Sequence, residues 1–369
     1  MSFPPSPILS EVEGEKGPGV EGAFAMHQLE NTLYVMTTNA YAHLENATVR
    51  IDVEREKKLQ VPLHHLGGLV CFGNVMVSPG LMHKLADEGK SLVLLDHNGR
   101  FKARLEGGIS GNILLRKAQY KAAEDGSQVL EIARAIIAGK VKNSRSVLLR
   151  GARETDNADD IARLDAVALG LAQTLGNLKH ATDVDTVRGL EGEAAKNYFG
   201  VLPLIIKPQY REAFALNGRT RRPPLDRTNA LLSFLYSMLM NDCRSALETV
   251  GLDPQLGFLH VVRPGRAALA LDLQEEFRSV LVDRFALTLI NRGQVQANDF
   301  DTREGGAVML NDKGRKTVVV AWQERKQEEV QHPLTGAKMP IGLLPFMQAR
   351  FMARTIRGEM ESYIPYMAK

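Results

Sequence analysis

The segment Gly257 to Arg278 concentrates side chains that could do chemistry. His260 lies a short turn before Asp272, Glu275 and Glu276, and the residues around them are mostly apolar. On a helix, Asp272 is a surface neighbour of both glutamates, so the carboxylates would repel one another. Buried carboxylates need a metal ion, a hydrogen-bonded partner or a proton. A histidine beside acids suits Mn²⁺ or Mg²⁺ with mixed nitrogen and oxygen ligands.

The same helical period predicts a buried helix through this segment. It places Asp283 on the stripe of Asp272 and Glu276, and apolar side chains cover most of the remaining circumference. Those side chains are Leu273, Phe277, Val280, Leu281, Phe285 and Ile290. A helix that is apolar nearly all round is a buried one. Two other interpretations stay open, because Asp272-x-x-Glu275 is also a capping-box pattern and a lone histidine is commonly a hydrogen-bonded core residue.

A second acid lies on the apolar face of a helix predicted over Val184 to Pro203. At about 100° per residue, Glu191 falls near the middle of this face and Glu193 on the opposite side. Gly189 and Gly192 flank Glu191, although each glycine costs a helix about 1 kcal/mol relative to alanine. Space beside Glu191, for a ligand or a closely approaching backbone, would compensate. The alternative is a helix start weakened by glycine, with a fortuitous acid.

Arginines cluster between and beside the two acidic stretches. The candidate phosphate-binding residues are Arg219, Arg221, Arg222, Arg227, Arg263 and Arg266. Guanidinium groups match phosphate oxygens, and the first four lie at the start of an apolar helix predicted over Asp226 to Glu248, where the helix dipole also favours anions. The cluster therefore predicts an anion-binding surface, although a run of charges is usually only a solvated face.

Composition sets the broad class. The chain has 369 residues, a length that favours two domains. Its formal charge is +3, which is nearly balanced, so the positions of the arginines are more informative than the net charge. Cys71 and Cys243 are too few for a disulfide framework, and they favour a reducing cytoplasm. No long apolar run predicts a membrane span, and the first residues lack a signal-peptide pattern. We therefore expect a cytoplasmic protein that makes no membrane contact.

The chain divides into a short tail and two domains, which gives an α+β fold. Residues 1–22 are rich in Pro, Gly, Ser and Glu and predict a disordered tail, and we expect the residues before Met26 to be dispensable. Residues 23–107 predict a small β-sandwich-like domain with one helix that starts at Ser78-Pro79. Residues 108–369 show the helical period and predict a larger all-α catalytic domain.

The expected elements are short strands followed by helices of ordinary length. The strands are Thr32 to Thr38, Ala47 to Val53, Leu59 to Leu63, Gly68 to Phe72, Ser91 to Asp96 and Arg100 to Leu105. The helices that follow are Leu114 to Ala123, Gln128 to Ala138, Asn143 to Arg153, Ile161 to Leu175 and Val184 to Pro203. Asp96-His97-Asn98-Gly99 predicts a hairpin turn. Thr317 to Ala321 could be strand or helix, and we favour helix from about Lys316.

Three extended motifs, in this order and spacing, carry a resemblance to a known family. They are GLEGEAAKNYFG, GRTRRPPLDRTNALLSFLY and GFLHVVRPGRAALALDLQEEFR. The chain past Met26 resembles the CRISPR-associated protein one family of adaptation integrases, and its C-terminal part is similar to the subtype I-C branch. The resemblance implies that Glu191, His260 and Glu275 are catalytic residues and ligands of Mn²⁺ or Mg²⁺, with Asp272 as a supporting acid. Some members have aspartate at the position of Glu275, and either acid supplies oxygen to a hard cation.

The resemblance also implies partners and a reaction. Family members insert short foreign DNA into the repeat array by strand transfer and cleave branched and single-stranded DNA. Their β domains form a homodimer, and two homodimers flank a dimer of the small CRISPR-associated protein two. The candidate arginines would then hold double-stranded and branched DNA.

The residues themselves leave the reaction open, because a metal site serves a water nucleophile and a DNA 3′-hydroxyl alike. A stand-alone, structure-selective nuclease is one alternative. The other is a non-catalytic nucleic-acid scaffold, in which Glu191 pairs with Arg263 or Arg266 and no metal binds.

Overall fold

A computed structural model describes residues 31–96, 101–105, 113–216, 218–220 and 222–368. The predicted tail over residues 1–22, the region around Met26, Arg221 and turn residues 97–99 lie outside these ranges. No helix within the described ranges is both long and apolar enough to cross a membrane.

The N-terminal part forms two four-stranded sheets and one helix over its described residues. The elements are β1 (Asn31–Val35), β2 (Tyr41–Glu45), β3 (Thr48–Val53), β4 (Glu56–Pro62), β5 (Leu66–Phe72), β6 (Met76–Val77), α1 (Pro79–Asp87), β7 (Ser91–Leu95) and β8 (Phe101–Leu105). One sheet has the order β1-β5-β7-β8 and the other β4-β3-β2-β6. The predicted strands are confirmed, whereas β2 and β6 were not predicted, because the first has few branched residues and the second has only two residues.

The sheet that contains β5 packs on both faces. Leu69 and Cys71 point into the core between the two sheets and α1, whereas Val70 and Phe72 join the core of the helical part. This alternation follows from the two-residue period of a strand. The nearly continuous apolar sequence of β5 is typical of a strand that is covered on both sides. The β domain is therefore packed against the helical part, where the ring of Phe72 lies 6.1 Å from the ring of Phe234.

The C-terminal part is mainly helical, as predicted, with two small antiparallel ribbons that were not predicted. The helices are α2 (Ile113–Glu124), α3 (Gly126–Glu154), α4 (Ala158–Leu178), α5 (Val184–Val201), α6 (Pro208–Arg211), α7 (Arg227–Val250), α8 (Ala268–Glu275), α9 (Arg284–Asn291), α10 (Asp312–Gln327) and α11 (Leu344–Ile356). The ribbons pair β9 (Phe300–Thr302) with β10 (Val308–Leu310), and β11 (Glu329–Gln331) with β12 (Lys338–Pro340). Helix α10 confirms the helical prediction for Thr317 to Ala321.

Helix α3 is the central element of this part, and it contacts α2, α4, α5 and α8. The prediction of two helices, with a break before Asn143, was wrong, since one helix runs through. Gly139 does not interrupt it: a Cβ atom there would lie 2.8 Å from Cβ of Pro365, so the glycine admits the C-terminal segment. Asn143 is fully buried, and its amide donates to the carbonyl oxygens of Glu276 (2.7 Å) and Tyr366 (2.8 Å).

The helix predicted across the acidic stretch is buried, as expected, but it is not continuous. Helix α8 ends at Glu275, and the residues Arg278–Asp283 form a π-helical turn before α9. Such a turn shifts the side chains out of the α-helical register. Asp283 therefore leaves the stripe of Asp272, and accepts hydrogen bonds from the hydroxyl groups of Tyr198 (3.0 Å) and Tyr236.

Candidate active site

Two helices and one loop bring the predicted acids and the histidine together beside α3. Glu191 lies on α5, Glu275 at the end of α8, and His260 in the loop before α8. The ammonium group of Lys140, on α3, lies 2.7 Å from Glu275 Oε2 and forms an ion pair with Glu191 Oε1. Glu191 thus pairs with Lys140, rather than with the arginines expected for a scaffold.

Helix α5 presents Glu191 inward and Glu193 outward, as predicted. The side chain of Glu191 is partly buried and Glu193 is exposed. A Cβ atom on Gly189 or Gly192 would meet no atom within 4 Å, so no backbone approaches these glycines, and the space beside Glu191 is open to a ligand. One turn earlier, Nε of Arg188 donates to the carbonyl oxygen of Leu259 at 2.8 Å, which ties α5 to the histidine loop.

Asp272 orients the histidine loop. Its Oδ2 accepts the backbone N–H groups of Phe258 (2.6 Å) and Leu259 (3.0 Å), and its Oδ1 accepts the backbone N–H of His260 (2.9 Å) and contacts His260 Nδ1 (2.7 Å). These contacts use all four acceptor positions of the fully buried carboxylate. Helix α8 begins at Ala268, so Asp272 is not its cap and the capping interpretation was wrong. Asp272 instead fixes the ring of His260.

Glu275 is buried among cations. Nη1 of Arg278 lies 2.7 Å from Glu275 Oε1, and Nε2 of His260 lies 3.9 Å from the same oxygen. Burial would raise the pKa of the Glu275 carboxyl, but Arg278 and Lys140 hold that pKa well below its usual range. Arg278 also stacks over the ring of Tyr236, 4.3 Å from the centroid. Glu275 is therefore ionised, and two cations compensate its charge.

The adjacent Glu276 faces the opposite way. Its carboxylate accepts hydrogen bonds from the Tyr363 hydroxyl, from the backbone N–H of Tyr366 at 2.7 Å and from Nε2 of Gln348 at 3.0 Å. Burial raises the pKa of Glu276 to about 8, although these hydrogen bonds oppose the shift. Glu276 consequently anchors the C-terminal segment and does not belong to the site.

The donor set fits a divalent cation. In the part of the chain that the structure describes, no three His, Cys, Asp or Glu side chains stand close enough together to hold a metal ion, because Lys140 lies between Glu191 and Glu275. The carboxylates of Glu191 and Glu275 and the imidazole of His260, which Asp272 orients through Nδ1, are ligand types that suit Mn²⁺ or Mg²⁺. Lys140 would have to move aside for such an ion to bind. Glu275 Oε2 makes no hydrogen bond of good geometry, and its close partner is the Lys140 ammonium group.

The candidate arginines divide into two groups. Arg219 donates to Asn229 Oδ1 at 2.6 Å, and Arg227 donates to the carbonyl oxygen of Ala213 at 2.9 Å, so both have partners within the protein, and their contact with DNA stays a prediction. Arg222, just before the start of α7, is exposed. In the segment that follows His260, Arg263 is exposed and Arg266 is partly exposed. Arg221 lies outside the described residues.

Sequence reasoning missed the cations around the carboxylates. Arg278 could have been found, because it lies three residues after Glu275 and therefore on the same helical face. Lys140 carries no such local signal, since it precedes Glu191 by 51 residues and reaches the site only through the packing of α3 against α5.

Comparison with known proteins agrees with this architecture. The family described as CRISPR associated protein Cas1 matches residues 33–324. A CRISPR-associated endonuclease Cas1 from Moorella thermoacetica is 53% identical over 342 residues, which are 93% of this chain and 99% of that protein. One from Rhodospirillum rubrum is 49% identical over 352 residues, which are 93% of this chain and 100% of that protein.

Solved structures share the fold at low sequence identity. A Cas1 protein from Thermotoga maritima superposes with a TM-score of 0.76 at 23% identity, covering 89% of this chain and 97% of that one. A casposase bound to integration product superposes with a TM-score of 0.78 at 24% identity, covering 92% and 95%. The extent of the sequence match and the shared two-domain fold lead to one conclusion: the chain belongs to the Cas1 family of CRISPR-associated proteins.

Proposed function

We propose that this protein is a divalent-metal-dependent endonuclease and integrase, which joins short foreign DNA to a CRISPR repeat array. The observation that carries the proposal is that the Lys140 ammonium group bridges Glu191 and Glu275, while Nε2 of His260 lies 3.9 Å from Oε1 of Glu275. A divalent metal ion could take the position between these two carboxylates in place of the ammonium group. The names of the Moorella and Rhodospirillum relatives, both endonucleases, support the reaction class.

In the mechanism we propose, Glu191, His260 and Glu275 hold Mn²⁺ or Mg²⁺. When bound, the ion polarises a phosphodiester and offsets charge that develops on its oxygens. Asp272 keeps Nδ1 of His260 engaged, so that Nε2 faces the carboxylates. Arg278 keeps Glu275 ionised and in place.

The same proposal assigns the partners. We propose that the exposed Arg222, Arg263 and Arg266 hold DNA phosphates near the site. A DNA 3′-hydroxyl is the proposed nucleophile of integration, because the structural neighbours include a casposase bound to integration product. Another neighbour is a Cas6-RT-Cas1–Cas2 complex, which supports a proposed assembly with Cas2. We further propose a homodimer formed through the β domain, residues 23–107, and a cytoplasmic location.

The non-catalytic scaffold is the second candidate, with Lys140 in place of the arginine partner that was expected for Glu191. Lys140 already compensates the charges of Glu191 and Glu275, as a protein without a metal would require. The two candidates differ in what a divalent ion does to them: it should activate the enzyme and leave the scaffold unchanged.

Strand transfer tests the proposal. The purified chain, with and without Cas2, is mixed with Mn²⁺, a short duplex with free 3′-hydroxyls and a plasmid that carries the repeat array. Joining should require the 3′-hydroxyl, disappear in Glu191→Ala and His260→Ala, and persist in Glu193→Ala, which removes the exposed acid of the same helix. Cutting without joining would indicate a nuclease. The absence of any metal-dependent reaction would refute the proposed enzyme.

A further inference from the structure

A second polar cavity lies apart from the candidate active site. It has a volume of about 410 Å³, is open to solvent on one side, and is lined by α3, α9, α10 and the segment before α6. Its cationic lining residues are Arg150, Lys207, Arg284, Arg292 and Arg325. Its acidic lining residues are Glu154, Glu324 and Glu328. Cations from four separate elements therefore face one cavity and outnumber the acids there.

The acids neutralise only part of this charge. Nε of Arg150 lies 2.6 Å from Glu154 Oε1, one turn along α3, and Arg325 pairs with Glu328 three residues later. Over the described ranges, the remaining cations Lys207, Arg284 and Arg292 form no ion pair, and that leaves three positive groups at the cavity without a fixed partner.

Arg284 is the most enclosed of these three. Its side chain is partly buried, whereas Lys207 and Arg292 are exposed. Burial lowers the pKa of Arg284, and repulsion from Arg150 and Arg325 lowers it further, while attraction to Glu154 and Glu328 offsets only part of the shift. A guanidinium group in such surroundings is costly unless an anion joins it. The cavity is thus organised for an anionic ligand.

We propose that this cavity binds a phosphate group, carried by a free nucleotide or by a DNA strand, through Arg284, Arg292 and Lys207. Guanidinium forks match phosphate oxygens in pairs, and a lysine adds a point charge. The cavity volume falls in the range of about 300 to 1,000 Å³ that is usual for small-ligand sites.

The phosphate site is separate from the metal site. Arg150 follows Lys140 by ten residues on α3, which corresponds to about 15 Å along the axis and about 80° around it. None of Glu191, His260 and Glu275 lines the cavity. Phosphate binding there needs no divalent ion, so the proposal does not depend on the proposed reaction.

Calorimetric titration of the full-length chain in EDTA tests the site, with pyrophosphate and ATP as free phosphate probes. Fluorescence anisotropy with a labelled single-stranded oligonucleotide tests the DNA source. Arg284→Gln and Arg292→Gln should each weaken binding of the relevant probe about tenfold, since a hydrogen bond to a charged group is lost. The matched control is Arg163→Gln, which removes an exposed arginine on α4.

The outcomes separate the two sources. Weaker pyrophosphate and ATP binding with unchanged DNA binding would support a free nucleotide as ligand. Weaker DNA binding, with a reduced salt dependence of the affinity, would support a strand phosphate. If both variants bind all probes like Arg163→Gln, the proposal is overturned. Because Arg292 is exposed, its variant remains informative even if Arg284→Gln fails to fold. Glu191→Ala should keep phosphate binding, so this test and the strand-transfer test can fail independently.

Discussion

Replacing Lys140 by methionine separates the two roles of the cation between the carboxylates. The ammonium group lies 2.7 Å from Glu275 Oε2 and pairs with Glu191, and the lysine side chain is only 12% exposed. Removing one partner of a buried ion pair costs about 3–5 kcal/mol, and an exposed pair contributes about 0–1 kcal/mol. Arg278 still compensates Glu275, and Glu191 is partly exposed, so we expect a loss of about 2 kcal/mol in the free energy of unfolding without metal.

That loss corresponds to a melting temperature about 4–8 °C lower in EDTA, at about 2–4 °C per kcal/mol for a large domain. Mn²⁺ should narrow this difference in melting temperature. In the wild type the ion must displace the ammonium group, whereas in Lys140→Met the position between the two carboxylates is vacant and Arg278 alone compensates Glu275. The variant should therefore gain more stability from Mn²⁺ than the wild type does. Calorimetric melts over a Mn²⁺ series measure both quantities.

Lys142→Met is the matched control, since this lysine lies on the same helix and makes no ion pair among the described residues. Its melting temperature should follow the wild type at every Mn²⁺ concentration. If Lys140→Met also follows the wild type in EDTA, then Lys140 does not bridge the carboxylates in solution. An equal Mn²⁺ shift in the wild type and in Lys140→Met would mean that the ion binds elsewhere.

Three further substitutions test the support of the site. Asp272→Asn puts an amide nitrogen among the donors that surround Asp272. Mn²⁺ affinity and the rate of strand transfer should each fall about 10–100-fold. Unchanged Mn²⁺ affinity would show that Asp272 does not orient His260. Gly257→Ala places a Cβ atom 2.6 Å from Asp272 Oδ2. The free energy of unfolding, measured in urea, should fall by about 1–3 kcal/mol. A variant as stable as the wild type would mean that Asp272 does not pack this closely against Gly257. Tyr363→Phe removes a hydroxyl group that donates to buried Glu276. The free energy of unfolding, measured in urea, should fall by about 1–3 kcal/mol. An unchanged free energy of unfolding would mean that this hydrogen bond is not formed.

Local sequence patterns predicted the inward face of α5 and the burial of α8, because hydrophobic period reports which side of an element is covered. They do not report what covers it. The predicted break before Asn143 does not occur, and Gly139 within that gap accommodates Pro365, which lies more than 200 residues later. Likewise, the sequence around Arg219 did not show that this residue donates to Asn229 and so helps to hold the start of α7. In each case the deciding partner lies on another element, beyond any local period.

The four acids of the central segment show what distinguishes a ligand from a structural carboxylate. Asp272 is held by backbone N–H groups and a histidine ring, Glu276 by a tyrosine, an amide and a backbone N–H, and Asp283 by two tyrosines. Hydrogen-bond donors of this kind are fixed by the fold, so releasing such an acid would leave buried donors unsatisfied. Glu275 alone among the four is held by side-chain cations, and one of them, Lys140, ends a flexible chain. An ammonium group can yield its place to another cation without orphaning a backbone group, and this property supports the proposed role of Glu275 as the metal ligand of this segment.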